Sequence, residues 1–468
     1  MFYLRYRRTT QAEPVVMSEE TLKGAVSQIR AKMMSVNGAI EPQNCILFGK
    51  AYGQKLGVHV TANNSVGANY HRLTNQLVIG STGTGKTYNY MTPNLYQGTS
   101  SAVVIDICAD FLKFKTHSEV FKKRGIKTHF MNFCEGAKET ARFNPFLHAK
   151  YFGDTKYQQA NHLAELIMNS MMPIATKELP SDPFLQKLTK EILSVVILYI
   201  LEGNMPDNKR TFKTLVEILR DKLNENPLKE LELLIALSVT PTQEGIDQML
   251  NLCYSGASEK SMKDCIICLL IGLQLFLDSG ISRCFEEEAD TDNIDLTAFG
   301  TEQHYLFLCA EPYEWNGKIL GFVIAMLNDG FMKVRPETFN VRHIQFYLDE
   351  FSSLSIPQFI NRYAVCRKYN MGFSVLVQNA EILKKNFGDD WQMIPANSEA
   401  VVLMNGGMYG LNTELLEKLC HNNSEAQSDM EKYILQNAEK FGSEKVIAFV
   451  YGEPPILCER LDPNDYRA

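Results

Sequence analysis

The sequence has 468 residues, of which 45% are hydrophobic and 22% are charged, and this ordinary globular composition excludes a disordered or fibrous protein. The length exceeds what one hydrophobic core usually supports, so two or three domains are expected. The formal net charge of −7 excludes a globally basic nucleic-acid-binding protein, but it does not exclude a local basic strip that follows a phosphate backbone within an oligomer.

The cysteines and the apolar stretches indicate the cellular compartment. Eleven cysteines are scattered along the chain, which is typical of reduced thiols in a cytosolic compartment. Cys265 and Cys268 form a CxxC pair, but the apolar run around them favours buried helix thiols over zinc ligands. The opening MFYLRYRR turns basic before an apolar run forms, so no signal peptide is predicted. The longest apolar stretches, 192–201 and 265–277, fall short of the ~20 residues that span a bilayer, and we expect a soluble chain.

The chain begins with a mixed segment, residues 1–75, that we expect to pack on the core that follows. It contains an amphipathic stretch near 17–34 and a strand-and-turn pattern near 45–60. From residue 76 the order becomes strand (QLVI), glycine-rich loop (GSTGTGKT), helix, and strand (SAVVIDI, 101–107). This order predicts the βαβ unit of a parallel sheet, and a further strand is predicted over 127–133.

Helical periodicity then replaces the strand pattern over residues 156–290. Strands return at 304–309, 343–348, 372–378 and 399–404, with a helix over 318–333 between the first two. We therefore predict an α/β fold whose parallel-rich central sheet is interrupted in sequence by an inserted all-α domain. The expected division is an N-terminal segment (1–75), the first part of a nucleotide-binding domain (76–155), the all-α domain (156–290) and the second part (291–468).

The loop at residues 80–87 matches the phosphate-binding pattern G-x-x-x-x-G-K-[ST], and it lies between a strand and a helix as that pattern requires. Backbone N–H groups of such a loop and the following helix N-terminus bind phosphates. Lys86 is expected to neutralise the β- and γ-phosphates, and Thr87 to offer its hydroxyl to Mg²⁺. ATP and Mg²⁺ are thus the predicted ligands. The predicted nucleotide-binding residues are Gly80, Ser81, Thr82, Gly83, Thr84, Gly85, Lys86 and Thr87.

A second half of the site is predicted where the apolar run HIQFYL ends in Asp349 and Glu350. Asp349 would hold Mg²⁺, directly or through water, and Glu350 would act as the general base on the attacking water. Asp106 also ends a strand, close to the phosphate-binding loop, but no glutamate follows it. It is a second-choice Mg²⁺ ligand or a structural acid.

Polar residues farther along the chain have two interpretations each. Gln378 ends a predicted strand, where its amide could sense the γ-phosphate or only bond the backbone. Arg362, Arg367 and Lys368 lie on a predicted helix. One arginine could reach the γ-phosphate of a neighbouring subunit, and the alternative is solvated helix charge.

Several of these segments resemble, in chain order, the type IV secretion coupling proteins, which are TraG/TraD-like ATPases of conjugation systems. They include TPNL (92–95), RFNPF (142–146), DPF (182–184), LDEF (348–351) and NGG (405–407). The resemblance makes Asp349 and Glu350 the Walker B pair, Gln378 the sensor glutamine and Arg367 an arginine finger that acts in trans. The family's DPKGE segment is DICAD (106–110) here, which puts the role of its lysine and glutamate in doubt.

The resemblance also implies a RecA-like nucleotide-binding domain and hexamers, formed at least transiently, with ATP hydrolysed at subunit interfaces. DNA, single- or double-stranded, would contact the central pore, for which residues 362–368, Lys384 and Lys385 are candidates. Other implied partners are a relaxase-like protein substrate and the type IV secretion channel proteins. The implied location is the cytoplasmic face of the bacterial inner membrane. The family's N-terminal membrane anchor is expected to be missing from this sequence or supplied by a partner.

The leading function is therefore an ATPase that couples DNA or nucleoprotein substrates to a type IV secretion channel. One alternative is a DNA translocase of the FtsK/HerA type, against which the long helical region argues. The other is a receptor or adaptor ATPase that recruits protein substrates without moving DNA, which the acidic composition favours.

Overall fold

The centre of the protein is a single sheet of 11 strands. The computed structural model describes residues 19–32, 44–60, 74–107, 109–134, 136–137, 139–171, 182–202, 205–223, 226–237, 258–334, 342–404, 415, 444–451, 453 and 455–467. The strands are β1 (Cys45–Ala51), β2 (Gln54–His59), β3 (Gln76–Ile79), β4 (Ser101–Ile107), β5 (Lys127–Asn132), β6 (His304–Ala310), β7 (Ile344–Leu348), β8 (Met371–Val377), β9 (Ala400–Met404), β10 (Lys445–Val450) and β11 (Ile456–Glu459).

The spatial order of the strands is β2-β1-β11-β10-β9-β3-β8-β7-β4-β6-β5. All neighbours from β9 to β5 are parallel, so the predicted parallel-rich sheet is confirmed. The remaining neighbours, from β2 to β9, are antiparallel. The sheet is therefore mixed rather than wholly parallel, because β10 and β11, which we did not predict, form a hairpin that joins β9 to β1.

Helices cover the sheet and predominate among the described residues between β5 and β6. They are α1 (Glu19–Lys32), α2 (Thr92–Gln97), α3 (Asp110–Lys113), α4 (Lys115–Lys123), α5 (Lys156–Met171), α6 (Pro183–Glu202), α7 (Phe212–Glu217), α8 (Pro227–Leu237), α9 (Glu259–Leu273), α10 (Ser279–Cys284), α11 (Ala298–Thr301), α12 (Glu314–Val334), α13 (Phe359–Val365), α14 (Ala380–Phe387) and α15 (Met393–Ala396). The part of residues 156–290 that the structure describes contains no strand. None of the helices in the described ranges is long and apolar enough to cross a bilayer.

Both faces are buried along the inner parallel strands of the sheet, whereas the edge strand β5 is buried only at its last two residues. Along β4, Val103 and Ile105 belong to one hydrophobic cluster, whereas Ala102 and Val104 belong to the other, as the two-residue period of a strand requires. The first cluster continues into the long helices α5, α6 and α12. Burial on both faces explains why the parallel strands read as unbroken apolar runs.

Two glycines of α12 allow the chain that follows β7 to lie directly against this helix. A Cβ atom at Gly317 or Gly321 would collide with the carbonyl oxygen of Ser353 or Ser355, respectively. The Ser355 N–H donates to the carbonyl oxygen of Gly317, at 3.2 Å. The helix thus fixes the path of the segment that begins with Asp349 and Glu350.

Candidate nucleotide-binding site

The topology brings the main predicted site segments to one edge of the sheet. Residues 80–87 follow β3, Asp349 follows β7, and Gln378 follows β8, which lies between the other two strands. Because the three strands are parallel, their carboxyl ends meet at the same edge, where α/β proteins bind their ligands.

The glycines of the loop at residues 80–87 are required by its conformation. Gly83 and Gly85 have φ angles of +77° and +87°, which only glycine adopts without strain. A Cβ atom at Gly80 would lie 2.5 Å from Thr84 Oγ1 and 2.7 Å from the Met404 carbonyl oxygen. Ser81 and Thr82 are exposed, so the outer side of the loop is open to a ligand.

Lys86 is folded back over this loop. Its ammonium donates hydrogen bonds to the carbonyl oxygens of Gly80 at 2.6 Å and Ser81 at 3.3 Å, and the residue is only 7% exposed. Burial lowers the pKa of Lys86, although the nearby Asp349 and Glu350 carboxylates act in the opposite direction. A partly desolvated cation at this position suits the oxygens of a bound phosphate.

Thr87 and Asp349 form the oxygen pair that would hold a divalent cation. The Thr87 hydroxyl donates to Asp349 Oδ2, and Asp349 Oδ1 accepts the Glu350 N–H at 2.9 Å. Asp349 is 8% exposed, and burial raises its pKa. The described residues contain no group of three or more His, Cys, Asp or Glu side chains that could hold a metal ion. A hydroxyl oxygen beside a carboxylate fits Mg²⁺, which keeps several waters and takes one or two carboxylates together with substrate phosphates.

Glu350 and Gln378 lie together beside this pair. Gln378 Nε2 is 3.4 Å from Glu350 Oε2 and donates a long hydrogen bond to it. The Glu350 backbone is left-handed, with φ of +48°, a conformation that costs a non-glycine residue free energy and is often found at functional sites. The carboxylate and the amide are thus close enough to act on one water molecule.

Asp106 has a structural environment. Its two carboxylate oxygens accept the backbone N–H groups of Asp110 at 2.9 Å and Phe111 at 3.1 Å, so it binds the first turn of α3. Burial raises the pKa of Asp106 to about 6. Because the hydrogen-bond partners of Asp106 are α3 backbone groups and Cys309, whereas Asp349 contacts Thr87 of the phosphate-binding loop, the geometry favours the structural acid over the second-choice Mg²⁺ ligand.

The basic residues between β7 and β8 separate into two environments. Arg362 is buried, forms an ion pair with Asp329 of α12, and donates to the Pro357 carbonyl oxygen at 2.8 Å. Our expectation that Arg362 could reach a neighbouring subunit or a pore was therefore wrong, because Asp329 and the packing of α13 on α12 hold it inside. Arg367 and Lys368 are exposed, as are Lys384 and Lys385. The NGG segment at 405–407 lies outside the described residues.

Sequence reasoning did not consider the segment after β11 as part of the site. The Asn89 amide, two residues after the loop, donates to the Leu461 carbonyl oxygen at 2.8 Å. No motif marks this segment, and only the return of the chain through β10 and β11 brings it to the loop.

The phosphate-binding loop, the acidic residues after β7 and the parallel-rich sheet define a RecA-like P-loop nucleotide-binding fold, as predicted. The sequence model described as type IV secretory system conjugative DNA transfer matches residues 31–405. The chain belongs to this family, and the resemblance to coupling proteins is confirmed.

Solved structures support the fold. The unbound bacterial conjugative coupling protein TrwBdeltaN70 superposes with a TM-score of 0.56 at 14% identity, over 96% of this chain and 93% of that chain. Plasmid coupling protein TrwB in complex with ADP and Mg²⁺ gives 0.55 at 14% identity, over 95% and 92%. VirB4 of Thermoanaerobacter pseudethanolicus gives 0.51 at 17% identity, over 91% and 98%. No curated protein sequence matches the chain.

Proposed function

We propose that this protein is an ATPase that couples DNA or nucleoprotein substrates to a type IV secretion channel and drives their transfer by ATP hydrolysis. The observation that carries the proposal is the apposition of an intact phosphate-binding loop to Asp349 and Glu350 in a chain of the conjugative DNA transfer family. The TrwB structures with ADP and Mg²⁺ and with an ATP analogue support ATP and Mg²⁺ as ligands.

The roles of the site residues follow from their contacts. Lys86 and the loop N–H groups would bind the β- and γ-phosphates. Thr87 and Asp349 would hold Mg²⁺, which would supply charge neutralisation for the phosphate oxygens. Glu350 accepts a proton from the water that attacks the γ-phosphorus, and the bond to the ADP oxygen breaks in line with that attack. Gln378 is proposed to orient Glu350 and the water, since its amide already contacts the carboxylate.

The proposed working unit is a homo-oligomer, a hexamer formed at least transiently. It binds DNA in its central pore and a relaxase-like substrate through the helical region, 156–290. It would work with the channel proteins at the cytoplasmic face of the inner membrane. A receptor for protein substrates is the second candidate, because the net charge of −7 opposes non-specific DNA binding. DNA should stimulate hydrolysis by the motor, whereas a receptor would hydrolyse ATP at a rate indifferent to DNA.

The position of Arg367 supports catalysis between subunits. Arg367 precedes β8, and the seven residues of that strand rise roughly 3.3 Å each, so the arginine lies roughly 20 Å from the phosphate edge of its own chain. It is exposed and too far away to contact the γ-phosphate of its own chain, so the role we propose for it is toward a neighbouring subunit. This role requires assembly for full activity.

Arg367→Ala is accordingly expected to lower kcat by about 10³-fold, the scale of a trans-acting arginine, without changing the Kd of the isolated chain for ADP. Hydrolysis should be measured across protein concentration, with Lys368→Ala, the exposed neighbour, as the control. Weaker ADP binding by the monomeric Arg367→Ala chain would contradict the trans assignment.

A further inference from the structure

Arg460 emerges at the same edge of the sheet as the phosphate-binding loop. It follows β11, which is antiparallel to β10, while β10 is antiparallel to β9 and β9 is parallel to β3. The two reversals make β11 run in the direction of β3. The residue after its end therefore lies on the carboxyl side of the sheet, together with the loop that follows β3.

The guanidinium of Arg460 faces the loop directly. A Cβ atom built on Gly85 would lie 3.3 Å from Arg460 Nη1, so the arginine approaches the bare side of this glycine. The backbone of Arg460 is fixed on both sides: its N–H donates to the Glu444 carbonyl oxygen at 3.0 Å, and the next residue, Leu461, accepts the Asn89 amide.

Arg460 has polar groups that the described part of the chain does not satisfy. Its Nε and Nη2 atoms are buried and have no hydrogen-bond partner among the described residues, and no described acid forms an ion pair with it. Burial lowers the pKa of its guanidinium, and no carboxylate acts against this effect. Arg362, by contrast, is buried with Asp329 as its counter-ion. Arg460 as a whole is only partly buried, and its Nη1, unlike Nε and Nη2, is not among the enclosed atoms. With no ion-pair partner among the described residues, this nitrogen can donate to an anionic group of a ligand.

The side on which Arg460 lies determines the part of the ligand it can reach. The residues for Mg²⁺ and the attacking water follow β7 and β8, on one side of β3, whereas β9, β10 and β11 lie on the other side. In the proposed site the γ-phosphate would point toward the first group, because that group supplies the residues for Mg²⁺ and the attacking water. Arg460 is therefore next to the part of the nucleotide that ATP and ADP share.

We infer that Arg460 is a nucleotide-binding residue that donates hydrogen bonds to the α- or β-phosphate oxygens of ATP and ADP in its own subunit. The inference rests on the proposed nucleotide site and adds a ligand residue from outside the range 31–405 that matches the family. The planar guanidinium is suited to phosphate oxygens. Phosphate oxygens would give Nη1, the nitrogen that approaches Gly85, the anionic partner that the guanidinium lacks among the described residues.

The test is the Kd of the full chain for fluorescently labelled ADP with Mg²⁺, together with the KM and kcat for ATP. Arg460→Ala is expected to raise the Kd and the KM about tenfold or more, the scale of a charge-assisted hydrogen bond, with kcat within about twofold because the contact is equal in ground and transition states. Arg460→Lys should recover part of the affinity. The control is Lys445→Ala, which removes an exposed charge paired with Glu459 at the same edge and should leave the Kd within about twofold.

Thermal unfolding distinguishes binding from a structural role. Without nucleotide, Arg460→Ala should unfold at the parent temperature or above it, and its stabilisation by ADP should be smaller. A parent-like Kd in Arg460→Ala, an equal loss in Lys445→Ala, or a lower unfolding temperature without nucleotide would overturn the inference. Lys86→Ala distinguishes a failure of this inference from a failure of the proposed nucleotide site. If Lys86→Ala loses ADP binding and Arg460→Ala does not, only the role of Arg460 is wrong. If neither variant loses ADP binding, the proposed nucleotide site itself is wrong.

Discussion

Glu350→Gln is expected to abolish ATP turnover while the protein still binds ATP. The substitution keeps the size of the side chain but removes the group that accepts the proton of the attacking water. Loss of a general base costs about 10²- to 10⁴-fold in rate. Glu350 lies beyond the end of β7 and is contacted by Gln378. Affinity should be retained, because the proposed ligand-binding residues, Lys86 and Thr87, are unchanged.

The matched control for this substitution is Glu311→Gln. Glu311 follows β6 as Glu350 follows β7, at the same edge of the sheet and two strands away. Single-turnover hydrolysis and the Kd for ATP should be measured for both variants. We expect Glu311→Gln to keep the parent rate to within about twofold. Equal rates in Glu350→Gln and the parent would remove Glu350 from the catalytic role.

Lys86→Ala is expected to lose turnover for a different reason, because its affinity for the nucleotide is reduced. The ammonium lies over the loop and donates to the carbonyl oxygens of Gly80 and Ser81. In this position it could donate a charged hydrogen bond to a phosphate oxygen. A charged hydrogen bond contributes about 1.5–3 kcal/mol, so ADP should bind roughly 10- to 100-fold more weakly.

Calorimetric titration with ADP and Mg²⁺ measures this effect, and Lys123→Ala on the exposed face of α4 controls for the loss of one positive charge. Removing Lys86 should not lower the unfolding temperature without nucleotide, since its partners are loop carbonyls rather than buried acids. An unchanged Kd for ADP in Lys86→Ala would show that the loop does not bind the phosphates.

Local patterns were sufficient for the parts of the site that follow strands in the βαβ unit. The run QLVI predicts a strand, and the glycine-rich loop follows it directly. The run HIQFYL likewise predicts a strand that ends in two acidic residues. In both cases the strand and the functional residues lie within about ten positions of each other. Parallel pairing then places these strand ends at one edge without further information. This is why the loop, Asp349, Glu350 and Gln378 could be predicted to lie together.

Contacts between distant parts of the chain could not be predicted in this way. The sequence pattern does not distinguish Arg362 from Arg367. Arg362 is buried in an ion pair with Asp329, 33 residues earlier in the chain, whereas Arg367 is exposed. The structural role of Asp106 depends on the turn at Ala109, whose φ is +55°. Arg460 reaches the loop through two antiparallel strands that carry no motif. Each of these features requires the three-dimensional arrangement of the sheet.

The most direct test of the account is ATP hydrolysis by the purified protein with and without single- and double-stranded DNA. It should be measured at low salt across protein concentration, because salt weakens phosphate contacts, with Lys86→Ala as the blank. We predict that DNA stimulates hydrolysis and that the specific rate rises steeply with protein concentration as subunits assemble. Hydrolysis that is indifferent to DNA at every concentration would contradict a DNA-transfer motor and favour a receptor for protein substrates.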